Sequence, residues 1–419
     1  MHAAIIILVF LLTYLGMAAG RLPWLQLDRT GIALLGVIAL LASETVTLDD
    51  LSANIDTSTL VLLFALMIIS AQFAAAGFYD LCAEWIIGRT ASPALLLALT
   101  VAVCGGLSAL FANDIAVFTM APLLIAGART RGLDPRPFLI ALIGASNAGS
   151  AATLIGNPQN IFVGQVGNLS FFGYLATGVV PALVALAIFF AVTWLFWHDR
   201  IEGTVLAVTR DGPETPFRSH DRAQTIKGLI AMAVLLGLFT TSLPRETGGL
   251  LIAAILMSNR RITSTTLIAT LDWPLLLLFV CLLAITGALA DTGIPWSLIS
   301  VLDERGWLPD NLLVLAPLTL LMSNTLGNVP SVILLLQVWP NPPQGALYGL
   351  ALLSSIAGNF LLVGSLSNLI VVERAAAAGV RLSFGEYARV GVPATIASMA
   401  FAMFWLAWTG WLPWLPGGG

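Results

Sequence analysis

Charge is what this sequence has least of. Only 10% of its 419 residues are Asp, Glu, Lys or Arg, against about a quarter in soluble proteins. The 18 basic residues comprise 17 arginines and the single Lys227, and the formal net charge of −4 points to no partner. Histidine and cysteine number three each. His2, His198 and His220 lie at the chain start or in a polar segment, which excludes haem or metal ligation inside an apolar run. Cys82, Cys104 and Cys281 are isolated among apolar neighbours and read as small buried hydrophobes, not as disulfides or ligands. No P-loop is present, so no ATP-driven pump is encoded here. No apolar run holds the paired aspartates a prenyltransferase needs. A soluble enzyme, a nucleic-acid binder and a disordered scaffold are excluded together.

What is present is hydrocarbon: 58% of the residues are hydrophobic, with a mean hydropathy of +0.95. At about 20 residues per crossing this supplies about twelve membrane spans. The expected fold is all-α and polytopic. Residues 1 to 19 lack a basic leading region and are followed by Arg21, so they read as a first spanning helix and not as a cleaved signal. Many of the twelve tryptophans, Trp194, Trp197, Trp405, Trp408, Trp411 and Trp414 among them, stand at run ends, where an interfacial belt belongs. The one long polar stretch, residues 198 to 222, is too short for a domain and reads as a linker.

The halves on either side of that linker resemble each other. Leu169-Ser-Phe-Phe-Gly-Tyr174 is echoed by Leu382-Ser-Phe-Gly-Glu-Tyr387, and Gly156-Asn-Pro-Gln-Asn160 by Gly364-Ser-Leu-Ser-Asn368. Ala148-Gly149-Ser150 pairs with Ala357-Gly358-Asn359, and Phe111-Ala-Asn-Asp114 stands where Ser323-Asn324 and Asn328-Val-Pro330 stand later. Four echoes in one order indicate a duplicated unit. Basic residues keep to the cytoplasmic side. Arg21, Arg29, Arg89, Arg129, Arg131, Arg136 and the linker therefore give a first half that begins outside and ends inside, with Asp49, Asp50 and Asp56 outside. Lys227, Arg260, Arg261, Arg374, Arg381 and Arg389 give the second half the opposite sense. The expectation is two inverted repeats: 1–198, a cytoplasmic linker 199–223, and 224–412. Secondary transporters use that arrangement.

Each repeat carries two interruptions of its apolar runs. Runs 92–128 and 310–338 are long enough for helical hairpins, with polar tips at Asn113-Asp114 and at Asn324 to Asn328. Runs 137–166 and 345–372 read as broken helices, interrupted from Asn147 and Ser150 to Asn157 and Asn160, and from Asn359 to Ser365 and Asn368. A break at mid-depth frees backbone groups and is tolerated where it lines a cavity. Unwound carbonyls and Asn or Ser oxygens suit a cation, and half-helix N-termini suit an anion. Tight helix packing in lipid is the plainer account of any one such residue. Asp114 is an intramembrane carboxylate in an apolar setting, able to carry a proton or help hold Na⁺. It also fits as an N-cap. The second half has no carboxylate at the matching place.

FANDxAxxxxAPL, NAGSAATLIGNPQNI, SNxxxNVPSV and GNFLLVGSLSNLIVxExA resemble the ion transporter superfamily, on its arsenite-permease and NhaD-like antiporter side, which includes citrate-transporter-like (CitMHS-type) permeases. The likeness spans about residues 30 to 410. It implies a scaffold, a moving part built of the hairpins and broken helices, elevator-like movement in an inner membrane, a homodimer and room for an associated ATPase subunit. It implies a site lined by Asn113, Asn147, Ser150, Asn157, Asn160, Asn324, Asn328, Asn359, Ser365 and Asn368, with Asp114 holding H⁺ or Na⁺ and no other cofactor. Ser323-Asn324-Thr325 matches the tips of the dicarboxylate branch, but Ala112-Asn113-Asp114 departs from them toward the arsenite or antiporter branch. No arginine lies in the four breaks, which suits neutral arsenous acid better than citrate. The expected function is export of arsenite or antimonite. A carboxylate or other anion symporter is the alternative, with a channel or membrane-embedded enzyme as a further one.

Overall fold

Lipid offers no hydrogen-bond partner to a peptide group, so each apolar run must satisfy its own backbone as a helix. The computed structural model describes residues 2–19, 27–88, 92–203, 220–305, 307–339 and 341–415. Among these are twenty α-helices, one short 3₁₀ turn and no strand. The first half runs α1 (His2–Ala19), α2 (Arg29–Ala42), α3 (Leu48–Ala53), α4 (Thr57–Ala75) and α5 (Phe78–Gly88). It continues with α6 (Pro93–Leu110), α7 (Asn113–Thr130), α8 (Arg136–Ser150), α9 (Pro158–Val166) and α10 (Phe171–Gly203). The second half runs α11 (Arg222–Leu238), α12 (Arg245–Met257), α13 (Ser264–Ala269), α14 (Trp273–Asp291) and α15 (Ile294–Glu304). Then follow α16 (Leu312–Thr325), α17 (Asn328–Val338), α18 (Gln344–Ala357), α19 (Leu366–Ala377) and α20 (Phe384–Trp408).

The two series agree term by term. Helices α3 and α13 have six residues each and are capped by Thr47 and Thr263. Helices α4 and α14 have nineteen each, capped by Asp56 and Asp272. Left-handed glycines, Gly77 (φ 71°) and Gly293 (φ 74°), precede α5 and α15. These pairs all stand 216 positions apart (47 and 263, 56 and 272, 77 and 293).

Among the described residues, six helices are long and apolar enough to cross a membrane: α4, α14, α6, α20, α1 and α10, the last over Phe171–Arg200. Helices α2, α16, α17 and α18 are apolar but shorter. The figure of about twelve crossings is thus not met by twelve full helices. Several runs are spent on hairpins and interrupted helices instead. Run 92–128 is the hairpin α6–α7, turning at Phe111-Ala112, and 310–338 is α16–α17, turning at Leu326-Gly327. Runs 137–166 and 345–372 are the interrupted pairs α8/α9 and α18/α19. The described part of the linker differs from expectation. Helix α10 continues to Gly203 and α11 begins at Arg222, while residues 204–219, like Arg21 and Arg89, lie outside the described residues. Arg29 is no loop residue but the first residue of α2.

Burial separates the interior from the lipid face. The apolar windows of α4 and α14 are 72% and 67% buried, those of α1 and α10 only 28%. Leu11, Leu12 and Leu15 on α1 and Leu183, Leu195 and Phe196 on α10 are exposed, as hydrocarbon solvent requires. Packing crosses between halves: α4 lies on α12 and α14 on α2, while α7 packs on α19 and α17 on α9.

Candidate functional site

The two broken helices hold each other through buried side chains. Asn147, on α8, donates from Nδ2 to Oδ1 of Asn359 and of Asn368, both at 2.8 Å, and its Oδ1 accepts from Ser365 Oγ at 3.1 Å. Ser355, on α18, answers from the other half. Its Oγ donates to Asn160 Oδ1 at 3.0 Å and accepts from Asn157 Nδ2 at 2.9 Å. The pairs are reciprocal, each residue standing 208 positions from its counterpart (147 and 355, 157 and 365, 160 and 368). Asn160 Nδ2 donates to Thr153 O (3.0 Å) and Ser150 O (3.4 Å), and Asn368 Nδ2 to Leu361 O (3.2 Å) and Gly358 O (2.8 Å), again at that spacing. Tyr174 and Tyr387 donate to the break carbonyls of Ala151 and Asn359. Freed backbone oxygens are thereby satisfied in a place without water. The structural register also moves one sequence pairing by a residue: Ser150 stands to Gly358, not to Asn359.

Beside these knots lies a cleft where the helix starts converge. Asn113, Pro158, Asn328 and Leu366 are the first residues of α7, α9, α17 and α19. All four line it, together with Arg29, Asp114, Gln159, Ser365 and Ser367. Each N-terminus contributes about half a positive charge. Asp114 Oδ1 accepts from Ser367 Oγ at 2.5 Å, and that hydroxyl accepts from Asn113 Nδ2 at 2.9 Å. Three buried polar atoms at the cleft have no partner among the described residues: Asn113 Oδ1 and both Asn328 Oδ1 and Nδ2. The cleft thus offers free acceptors and free donors side by side. It leaves about 20 Å³ for the centre of a water-sized group, room for a solute of only a few atoms. Asp114 also faces a vestibule of about 990 Å³ lined by Thr119, Thr270, Asp272 and Arg374.

The expectation of a site without basic residues is overturned by Arg29. Its half-buried guanidinium donates to Val363 O at 3.3 Å, in the second break. It also closes on the second hairpin tip, where the positive φ of Gly327 (101°) favours glycine. A Cβ there would meet Arg29 Nη1 at 2.8 Å. Arg29 escaped notice because 334 residues separate it from Val363 and no local pattern marks it.

Of the expected residues, Asn113, Asp114, Asn328 and Ser365 reach the cleft. Asn147, Ser150, Asn157, Asn160, Asn359 and Asn368 are engaged in the knots. Asn324 braces the backbone, donating to Ala357 O and accepting from Leu361 N. Gln159 and Ser367, which also line the cleft, are equivalent positions of the two quoted motifs and were not singled out.

The family model described as citrate transporter matches residues 6–342. The chain belongs to the citrate transporter family. Its relatives match it over different shares of its length. The 46 kDa membrane protein of Mycobacterium leprae is 28% identical over 96% of this chain and 97% of its own. The silicon efflux transporter LSI3 of Oryza sativa subsp. japonica is 26% identical over 91% and 93%. The putative transporter arsB of Dictyostelium discoideum is 22% identical over 44% of this chain and 32% of its own. The crystal structure of the Alcanivorax borkumensis YdaH transporter covers 99% of this chain and 100% of that one, with a TM-score of 0.56 and 13% identity, a likeness of fold. This citrate transporter family member is a membrane-embedded secondary transporter, not an enzyme.

Proposed function

We propose that the protein exports a small, undissociated oxyacid of the arsenite or antimonite kind, coupled to H⁺ (or Na⁺) through Asp114. The observation that carries this reading is the mixed lining of the cleft. Arsenous acid is uncharged at neutral pH and bears hydroxyls that both donate and accept. Asp114 and the free oxygens of Asn113 and Asn328 can take its protons, while Asn328 Nδ2, the helix starts and Arg29 meet its oxygens. A fully dissociated anion would need donors alone. The small volume favours the same class, as do relatives named for silicon efflux and for arsB.

Coupling follows from the place of Asp114, which is shared by cleft and vestibule. Elevator-like movement would carry the cleft from one face of the membrane to the other. The reading includes two inverted repeats, for which the reciprocal knots and the matched order of helices are the support. The reading puts the linker, and the vestibule with Arg374, on the cytoplasmic side of an inner membrane, supported by the distribution of basic residues. A homodimer, with room for an associated ATPase subunit, belongs to the same reading.

A di- or tricarboxylate or other anion symporter is the second reading. It is favoured by Arg29 and four converging N-termini, which leave the cleft positive against one carboxylate, and by the family's description. Proteoliposomes loaded with arsenite and given a pH gradient separate the two. Gradient-driven arsenite flux is expected. Thermal stabilisation by citrate or succinate with Na⁺, and none by arsenite or antimonite, would reverse the order.

A further inference from the structure

Arg29 and Arg245 are one residue of the two halves. Each is the first residue of its helix, α2 or α12, and they stand 216 positions apart, as the caps of α4 and α14 do. Their immediate contacts repeat at that spacing. Thr30 Oγ1 donates to Pro274 O at 3.3 Å, and the counterparts Glu246 and Ser58 meet at 3.3 Å.

Their partners on the broken helices do not repeat. Arg245 donates to Gly164 O at 3.0 Å and to Leu169 O, at the far end of α9. The counterparts of those carbonyls belong to Val372 and Leu382. Arg29 bonds neither. It holds Val363 O in the break itself, and Val363 corresponds to Ile155. One arginine therefore grips the end of a broken helix and the other grips its interruption. Nine residues separate the two grips (363 and 372), about 13 Å at the rise of a helix.

A molecule of two equivalent halves, caught with one group of helices displaced against the other, has a second arrangement of similar energy in which the halves exchange roles. We propose that Arg245 is the substrate-site arginine of that second arrangement. There it stands over Ile155 and the Ala112 hairpin tip as Arg29 stands here over Val363 and Gly327, while Arg29 withdraws to Val372 and Leu382. The cleft keeps one guanidinium throughout and receives it from opposite halves. The inference rests on the alternating-access reading above. The exchange is not perfectly even: Glu246 follows Arg245 where Thr30 follows Arg29, and the first tip has Ala112 where the second has Gly327.

Cysteine pairs test this in membranes, with Cys82, Cys104 and Cys281 replaced by alanine. Arg245→Cys with Gln165→Cys reports the arrangement described, and Arg245→Cys with Ile155→Cys the exchanged one, using bifunctional thiol reagents of arginine length. Both pairs are expected to cross-link, with saturating arsenite or a pH step moving their ratio at least threefold. Cross-linking of the Gln165 pair under every condition, with none of the Ile155 pair, would overturn the exchange. In flux measurements Arg245→Gln should raise the KM for arsenite at the face opposite the vestibule at least tenfold over that at the vestibule face; an equal change at both faces would also overturn it. Cross-linking requires no knowledge of the solute. An Ile155 cross-link without arsenite flux therefore retains the exchange and rejects the substrate, and arsenite flux without that cross-link does the reverse.

Discussion

The two hairpin tips occupy equivalent places and are finished differently. At the first, Ala112 N–H donates to Ser70 Oγ, and Asn113 and Asp114 both engage Ser367 of the other half. At the second, both polar atoms of Asn328 have no partner among the described residues, and Gly327 turns through left-handed backbone beneath Arg29. The first tip commits its carboxylate and its amide nitrogen to the protein and leaves Asn113 Oδ1 open, while the second leaves the whole amide of Asn328 open to a guest. The common framework sets the depth and the meeting point of the tips. The difference between them assigns the work, with the titratable group on the bonded side and the open amide on the other.

The most damaging way to break this comparison is at Asp114. Asp114→Asn keeps size and hydrogen bonding but cannot exchange a proton, and pH-gradient-driven arsenite flux in proteoliposomes should fall to background. Retained gradient-driven flux would remove Asp114 from coupling. Next come the knots. Asn147→Ala strands buried groups on Asn359, Ser365 and Asn368, at about 1–3 kcal/mol for each group left unsatisfied. Ser355→Ala strands fewer, so thermal denaturation in detergent should rank Asn147→Ala well below Ser355→Ala. Gly327→Ala forces a side chain into left-handed backbone, about 1–2 kcal/mol, and into Arg29. Ala112→Gly at the other tip should cost at most about 1 kcal/mol. The smallest stability change belongs to Asn328→Ala, within about 0.5 kcal/mol because no protein partner is lost. It should nevertheless weaken arsenite binding about tenfold, the worth of one net hydrogen bond. A large loss of stability there would mean that the second tip is not open.

Much of this architecture could be read from the chain because Gly, Asn and Pro interrupt hydrocarbon so abruptly. The hairpins, both broken helices and the duplicated order follow from where apolar runs stop. Which asparagine faces a solute could not be read. Asn147 and Asn328 stand in equally polar surroundings in the sequence, yet one spends every hydrogen bond inside the protein and the other spends none. Arg29 was hidden for a related reason. Counted as a loop residue, it set topology, but its chemistry depends on a segment at the opposite end of the chain. Among the described residues six helices are long enough to cross, against about twelve reckoned from hydropathy, because hydropathy counts apolar residues and not the length of the helices they form.

The knots also bear on how the chain comes into being. Asn147 and Asn157 find partners 198 to 221 residues later, on α18, on α19 and in the break between them. Asn157 and Asn160 find some partners within the first half, but until Asn368 has been synthesised the side chain of Asn147 lacks the acceptors it has in the finished protein. Contacts so distant in sequence close slowly. The hydrogen bonds that join the two finished breaks are therefore among the last that the chain can make.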